Sequence, residues 1–169
     1  MCKAIQLKHK GKGRGRKIIM SSLNSLYEGM NTFLADQLVL SMKIHNVHWN
    51  IKGGKFFTLH PMMDQYYDEH MERIDEVAER LLAIGGQPIG SLRGALEITT
   101  LKEREDKKVF GKELVETLTV DFAQVRNHAK RLVEIAEEVD DCGTADYFTA
   151  VIQAYDKELW MLNSYLEEE

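Results

Sequence analysis

Apolar residues recur every three or four positions along four long stretches of the chain, which is the spacing of amphipathic helices. These stretches cover roughly residues 22–50, 59–84, 108–139 and 145–166. The stripe of the second stretch steps by intervals of three and four residues, through Leu59, Met63, Tyr66, His70, Ile74, Val77, Leu81 and Ile84. No segment reads convincingly as a β-strand. The pattern therefore predicts an all-α fold.

Capping residues and paired glycines predict where the four helices begin and end. The first helix is expected to start between residues 22 and 26, where Ser25 opens a capping-box pattern. Thr58 and Thr144 are candidate N-caps of the second and fourth helices. The glycine pairs at 53–54 and 85–86 are expected to lie beyond the C-terminal ends of the first two helices.

The lengths of the connections predict the topology of the bundle. Helices joined by short connections lie antiparallel. The first and second helices, and likewise the third and fourth, are joined in this way and are expected to be antiparallel. Residues 87–107 form a long connection, and a short helix through Leu92, Ala95, Leu96 and Ile98 is expected within it. About 20 residues can return along a helix on the order of 39 Å long, so the second and third helices are expected to be parallel. One long crossover in a four-helix bundle is the ferritin-like arrangement.

Charge is distributed unevenly along the chain. The net charge is −5, but residues 1–17 carry +7 and no acidic residue, which leaves −12 on the remainder. The seven cations are Lys3, Lys8, Lys10, Lys12, Arg14, Arg16 and Lys17. With glycines between them, residues 1–20 are predicted to be a flexible basic arm preceding a domain at 21–169.

The basic arm favours non-specific contact with DNA, because each lysine or arginine that reaches a phosphate releases counterions. A solvated tail without a specific partner is the alternative, and an organelle transit peptide is disfavoured by the scarcity of serine. The N-terminus lacks the apolar region of a secretory signal, and no apolar run is long enough to span a membrane. A cytoplasmic location is therefore expected.

Candidate metal ligands lie at helical spacing in residues 45–80, and they are His48, His60, Asp64, Asp75 and Glu79. With His60 set at 0° around the second helix, Asp64 lies near 40°, Asp75 near 60° and Glu79 near 100°. Two pairs spaced by four residues therefore share one arc of the helix, and His48 could join the His60 end across the glycine turn. Without further information, a solvated polar face is the simpler interpretation.

The two ligand pairs are too far apart to meet within one chain. Asp75 follows His60 by 15 residues, about 22 Å along the helix axis. Metal–ligand bonds are about 2.0–2.6 Å long. A shared site therefore requires a second subunit. Two such helices pairing antiparallel about a two-fold axis would form two identical sites.

The motif HNVHWNIKG, followed by LH, an aspartate four residues later and DEVAER, resembles the Dps family of mini-ferritins. The C-terminal segment DDCGTADYFTAVIQAYDKELWMLNSYL resembles the same family, and the likeness extends from about Ser22 to Leu166. The resemblance implies a dodecameric shell with ferroxidase sites at two-fold interfaces, where His48, His60 and Asp64 of one subunit face Asp75 and Glu79 of its neighbour.

The same resemblance implies an oxidoreductase that acts on iron and limits oxidative stress. In this family Fe²⁺ is oxidised, preferentially by H₂O₂, and stored as a ferric mineral. Trp49 is expected to lie near the site and to take up an oxidising equivalent. Zn²⁺ is a possible competing occupant of the site.

Two alternative functions remain open from the sequence. An intrasubunit di-iron protein would need Glu-x-x-His pairs on facing helices, and no such motif occurs in the chain. A DNA-packaging protein with structural zinc would favour closed Cys/His coordination, which differs from the open, carboxylate-rich candidate set.

Overall fold

The structure, a computed structural model, describes residues 14–167, with side chains from residue 20, and four long helices dominate this part of the chain. The elements are α1 (Arg14–Asn50), β1 (Ile51–Lys52), α2 (Phe56–Ala83), α3 (Leu92–Ile98), β2 (Val109–Phe110), α4 (Gly111–Glu138) and α5 (Cys142–Leu166). The predicted four-helix bundle, with a short helix in its long crossover, is confirmed. None of the helices found within residues 14–167 combines the length and apolarity needed to cross a membrane.

Two short strands contradict the prediction that the chain contains no strand. β1 and β2 pair in parallel, with Ile51 opposite Val109 and Lys52 opposite Phe110. Because β1 leads into α2 and β2 leads into α4, the parallel pairing makes both helices begin at the same end of the bundle. The prediction that the second and third long helices, here α2 and α4, run parallel is therefore confirmed. Strands of two residues are too short to show an alternating pattern in the sequence.

The first helix begins earlier than its capping pattern predicts. α1 starts at Arg14, whereas the expected start lies between residues 22 and 26. The Ser25 hydroxyl donates to the Ser21 carbonyl at 3.1 Å, a bond of a helix interior and not of an N-cap. Arginine and lysine are good helix formers, so the basic segment can extend the helix. Residues 1–13 lie outside the described residues, and the division at residue 20 remains a prediction.

Neither predicted threonine cap is the N-cap of its helix. Thr58 lies inside α2, which begins after Lys55. Asp141 caps α5 and accepts hydrogen bonds from the Thr144 amide at 3.1 Å and from the Thr144 hydroxyl at 2.5 Å. Gly85, with a φ of +89°, follows the end of α2 as predicted, because this conformation suits a glycine.

Asp36 of α1 fastens the returning crossover to the bundle. Its fully buried carboxylate accepts from the Thr99 hydroxyl at 2.8 Å, the Thr100 amide at 2.6 Å and the Thr100 hydroxyl at 2.9 Å. Nδ1 of His128 on α4 lies 3.2 Å from the same carboxylate. A buried carboxylate that is fully hydrogen-bonded in this way fixes the crossover against both α1 and α4.

His70 occupies the apolar stripe of α2 and is fully buried. Its Nδ1 donates to the Tyr66 carbonyl at 2.6 Å, and its Nε2 accepts from the Tyr155 hydroxyl at 3.2 Å. Burial, assisted by the positive charge of Arg73, lowers the pKa of His70 to about 3. The native state therefore holds this imidazole neutral throughout the range in which an unfolded histidine becomes protonated.

His70→Gln is expected to reduce the sensitivity of the fold to acid. A depressed histidine pKa leaves stability intact above the unfolded value near 6.5, and stability is lost progressively as pH falls from that value to the folded value of about 3. Between pH 7 and pH 5, His70 should account for about 2 kcal/mol of the fall in unfolding free energy. Glutamine does not titrate and can form both hydrogen bonds. Denaturant unfolding of both proteins at each pH, at equal protein concentration, measures the difference, and equal falls would contradict the assignment.

Candidate metal centre

Two histidines meet where α1 ends and α2 begins. His48 lies in the last turn of α1 and His60 in the second turn of α2. The chain reverses between them through β1 and Gly53, whose φ of +97° is a conformation that favours glycine. The two imidazole rings stack with centroids 3.8 Å apart and planes inclined by 22°. The turn therefore fixes one ring against the other.

Backbone hydrogen bonds set the orientation of both rings. Nδ1 of His48 lies 3.2 Å from the His60 carbonyl, and Nδ1 of His60 lies 3.1 Å from the His48 carbonyl. A carbonyl oxygen can only accept, so each Nδ1 carries a proton, and in the tautomer with one ring proton the lone pair lies on Nε2. Metal-binding histidines are typically oriented by such a bond from the other ring nitrogen.

Asp64, one turn after His60, completes a group of three candidate ligands. Its Oδ1 lies 3.3 Å from Nδ1 of His48. One potential ligand atom from each of His48, His60 and Asp64 lies within 4.8 Å of the others. The His48 side chain is 14% exposed and that of Asp64 62% exposed, so the group opens toward the surface. Two imidazoles and one carboxylate form a donor set that suits Fe²⁺ or Zn²⁺.

Asp75 and Glu79 lie farther along α2, and both are exposed. Asp75 follows Asp64 by 11 residues, about 16 Å along the helix axis. Within residues 20–167, His48, His60 and Asp64 are the one set of three or more such groups close enough to hold an ion. The structure thus brings three of the five predicted ligands together in one chain and leaves the other two apart, as the sequence estimate requires.

Aromatic rings extend from the histidine pair on both sides. His45 stacks on Tyr67 with centroids 3.6 Å apart, and it lies 5.0 Å from Trp49 and 6.2 Å from His48. Trp49 is 60% exposed. Phe56 stacks on His60 at 4.6 Å on the other side. The pKa of His45 is lowered mainly by burial of the ring, and to a smaller extent by electrostatic repulsion from His48.

Sequence reasoning missed the contact between Tyr67 and His45. Tyr67 follows His60 by seven residues and therefore lies on the same face of α2. This spacing is a signal in the sequence, but it does not reveal which residue of α1 packs against that face.

A family model of the ferritin-like domain matches residues 27–169. A DNA protection during starvation (Dps) protein from Brevibacillus brevis is 38% identical over 138 residues, covering 82% of this chain and 92% of that relative. The chain belongs to the Dps family of ferritin-like proteins.

Solved Dps structures share the fold described above. Dps from Listeria innocua, in a crystal soaked with zinc, has a TM-score of 0.81 and 37% identity, covering 84% of this chain and 96% of that one. Dps from Vibrio cholerae has a TM-score of 0.83 and 32% identity, covering 86% and 91%. The Vibrio protein is described as a member of a broad superfamily of ferritin-like diiron-carboxylate proteins.

The predicted DNA-binding cations of this Dps chain fall outside the described side chains. They are Lys3, Lys8, Lys10, Lys12, Arg14, Arg16 and Lys17. Side chains are described from residue 20 onward, so DNA contact by these residues stays a prediction.

Proposed function

We propose that this Dps protein is a ferroxidase that oxidises Fe²⁺, preferably with H₂O₂, and stores the product as a ferric mineral inside a dodecameric shell. The observation that carries the proposal is the group of His48, His60 and Asp64, with an Nε2 lone pair on each ring and an open side. Such a group offers an ion three ligands and leaves coordination positions for an oxidant.

The remaining ligands would come from a second subunit. Asp75 and Glu79 are exposed on the same arc of α2, but they cannot reach the triad of their own chain. An isologous contact between two α2 helices would place them against the triad of the partner and create two equivalent sites. This arrangement uses all five predicted ligands and explains why two of them lie alone in one chain.

The residues divide the work according to their chemistry. The imidazoles of His48 and His60 suit Fe²⁺, whereas the carboxylates of Asp64, Asp75 and Glu79 are hard oxygen ligands that favour Fe³⁺ as it forms. Two Fe²⁺, one H₂O₂ and two protons give two Fe³⁺ and two water molecules. Trp49, beside His48, is proposed to take up an oxidising equivalent. Coupling the oxidation of two Fe²⁺ to one H₂O₂ avoids the one-electron reaction of Fe²⁺ with peroxide that causes oxidative stress.

The distribution of charge fits iron storage combined with DNA association. An excess of acid in the body of the chain attracts cations, and the basic arm is proposed to bind DNA without sequence preference. We assign the protein to the bacterial cytoplasm, with nucleoid association through the arm. Zn²⁺ is proposed as a competing occupant of the iron site, since imidazole and carboxylate ligands bind both metals.

Anomalous diffraction from crystals soaked anaerobically with Fe²⁺ tests this function. Data at the iron edge are expected to show iron between His48, His60 and Asp64 of one subunit and Asp75 and Glu79 of its neighbour. A parallel soak with Zn²⁺, measured at the zinc edge, is expected to fill the same position. Iron bound elsewhere, or a site that accepts zinc and excludes iron, would contradict the ferroxidase and favour a DNA-packaging protein with structural zinc.

A further inference from the structure

We propose that Phe57 of one subunit packs against Leu82 of its partner, and that this apolar contact closes both ends of the α2–α2 interface and sets its register. The inference rests on the proposed function, because it uses the antiparallel pairing in which the triad faces Asp75 and Glu79 of a second copy. It adds the contacts that hold two copies in that pairing before a metal binds.

The exposed large apolar side chains of α2 all lie on the arc that carries the candidate ligands. They are Phe57, Met71 and Leu82, which are 88%, 41% and 55% exposed. With His60 at 0°, they lie at about 60°, 20° and 40° around the helix, within the arc of the ligands. Among the side chains described for residues 20–167, no large apolar one is more exposed than Phe57. Such a row on a polar helix face indicates that another surface covers it.

The register of the proposed site brings Phe57 opposite Leu82. Phe57 precedes His60 by three residues, and Leu82 follows Glu79 by three residues. In an antiparallel pair in which His60 faces Glu79 of the partner subunit, Phe57 therefore faces the partner's Leu82. The two-fold axis repeats this contact at the other end of the interface, and Met71 lies close to the axis. One register thus completes the ligand set and also covers the exposed apolar side chains of α2.

The polar part of the same interface does not favour contact between two metal-free copies. The ligand arc of each copy exposes four carboxylates, those of Asp64, Asp68, Asp75 and Glu79. Facing carboxylates repel each other at short range, so the attraction between metal-free copies has to come from other groups. Apolar contacts at the two ends supply it. A shift of one helical turn, about 5.4 Å, would separate Phe57 from Leu82, so their contact favours the register in which the ligands meet.

Both contact residues lie on well-defined structure. The Phe57 ring meets the Phe56 ring edge to face with centroids 5.4 Å apart, and Phe56 stacks on His60 at 4.6 Å. The Leu82 carbonyl accepts from the Gly85 amide at 3.0 Å, which fixes the backbone where α2 ends. Burial of Phe57 by a partner would therefore also restrain the ring that packs on a candidate ligand.

Sedimentation velocity of metal-free, full-length protein over a concentration series tests the contact. Phe57→Asp replaces the apolar ring with another carboxylate and is expected to weaken association of the subunits by about 10-fold or more. Adding Leu82→Lys should restore association, because the two new side chains face each other across the interface. Within one chain these positions are about 37 Å apart along α2, so the recovery can come only from a second copy.

Two further variants separate specific pairing from a general effect of charge. Phe57→Asp combined with Leu82→Asp places like charges opposite each other and should associate no better than Phe57→Asp alone. Phe57→Asp combined with Val120→Lys adds a positive charge at a 66% exposed residue of α4 and should leave the loss unchanged. Wild-type association of Phe57→Asp, no recovery with Leu82→Lys, or equal recovery with Val120→Lys would overturn the contact.

Fe²⁺ oxidation by H₂O₂, measured on the same proteins, separates this inference from the proposed function. If metal-free association follows the expected pattern but the wild type does not oxidise Fe²⁺ with peroxide, the contact stands and the ferroxidase falls. If all variants associate and oxidise Fe²⁺ like the wild type, the ferroxidase stands and the contact falls.

Discussion

His60→Ala is expected to slow peroxide-driven oxidation of Fe²⁺ by at least about 10-fold, because losing a direct ligand should cost no less than losing an outer-shell partner. Alanine removes the free Nε2 and also the ring on which His48 stacks. Both the affinity for Fe²⁺ and the geometry of the remaining ligands should therefore suffer. Stopped-flow absorbance of ferric product, together with anaerobic Fe²⁺ titration, measures the two effects separately.

Asp75→Ala should slow the oxidation of Fe²⁺ by a similar factor, although Asp75 lies apart from the triad of its own chain. Glu116→Ala is the control, since it removes an exposed carboxylate of α4 that is not part of the group formed by His48, His60 and Asp64. Wild-type rates in both His60→Ala and Asp75→Ala would refute the assignment of the ligands. A comparable loss in Glu116→Ala would point to general charge effects in place of a specific site.

Deleting residues 1–19 is expected to abolish retardation of DNA in a gel at low salt. The removed segment contains all seven cations of the predicted arm. For the full-length protein, binding should weaken steeply with salt, by about 10³–10⁵ between 50 and 200 mM if 6–10 phosphates are contacted. Gel retardation over a salt series measures both effects.

A charge-neutral variant separates the charge of the arm from its length. Because α1 begins at Arg14, the deletion also removes helical residues. Replacing the seven cations with glutamine keeps the chain length and removes only the positive charge. This variant should also fail to retard DNA, while size-exclusion chromatography shows whether its assembly is unchanged. Equal retardation by the wild type and both variants would locate DNA binding elsewhere or exclude it.

The helical periodicity of the sequence predicts the bundle and its long crossover well, because burial of one helix face constrains every third or fourth residue. Helix starts are less predictable. Ser25 has a capping pattern, yet the helix continues toward the N-terminus past it, and Asp141 caps α5 three residues before the expected Thr144. Local capping patterns compete with the tendency of neighbouring residues to continue a helix.

The ligand spacing predicts half of the candidate site and the need for a partner subunit. It does not predict the orientation of the ligands, which depends on tertiary contacts across the turn at Gly53. The reciprocal hydrogen bonds of His48 and His60 and the stacking of Tyr67 on His45 join α1 to α2. Such contacts depend on how the faces of two helices align. The spacing of residues in the sequence predicts which residues share a face of one helix, but it does not predict how that face aligns with another helix.

Co-assembly of two inactive variants tests the shared site most directly. One variant carries His60→Ala and Asp64→Ala, and the other carries Asp75→Ala and Glu79→Ala. Each alone should lack rapid Fe²⁺ oxidation. In a mixed two-fold interface one site loses all four ligands and the other keeps them, so random co-assembly should restore about a quarter of the sites.

The measurement is the amplitude of fast Fe²⁺ oxidation by H₂O₂ in co-expressed protein whose mixed composition is established by mass spectrometry. Recovery of about a quarter of the wild-type amplitude is the result expected for a site built across a two-fold interface. No recovery in assemblies shown to contain both variants would contradict the shared site and place the reaction within single subunits.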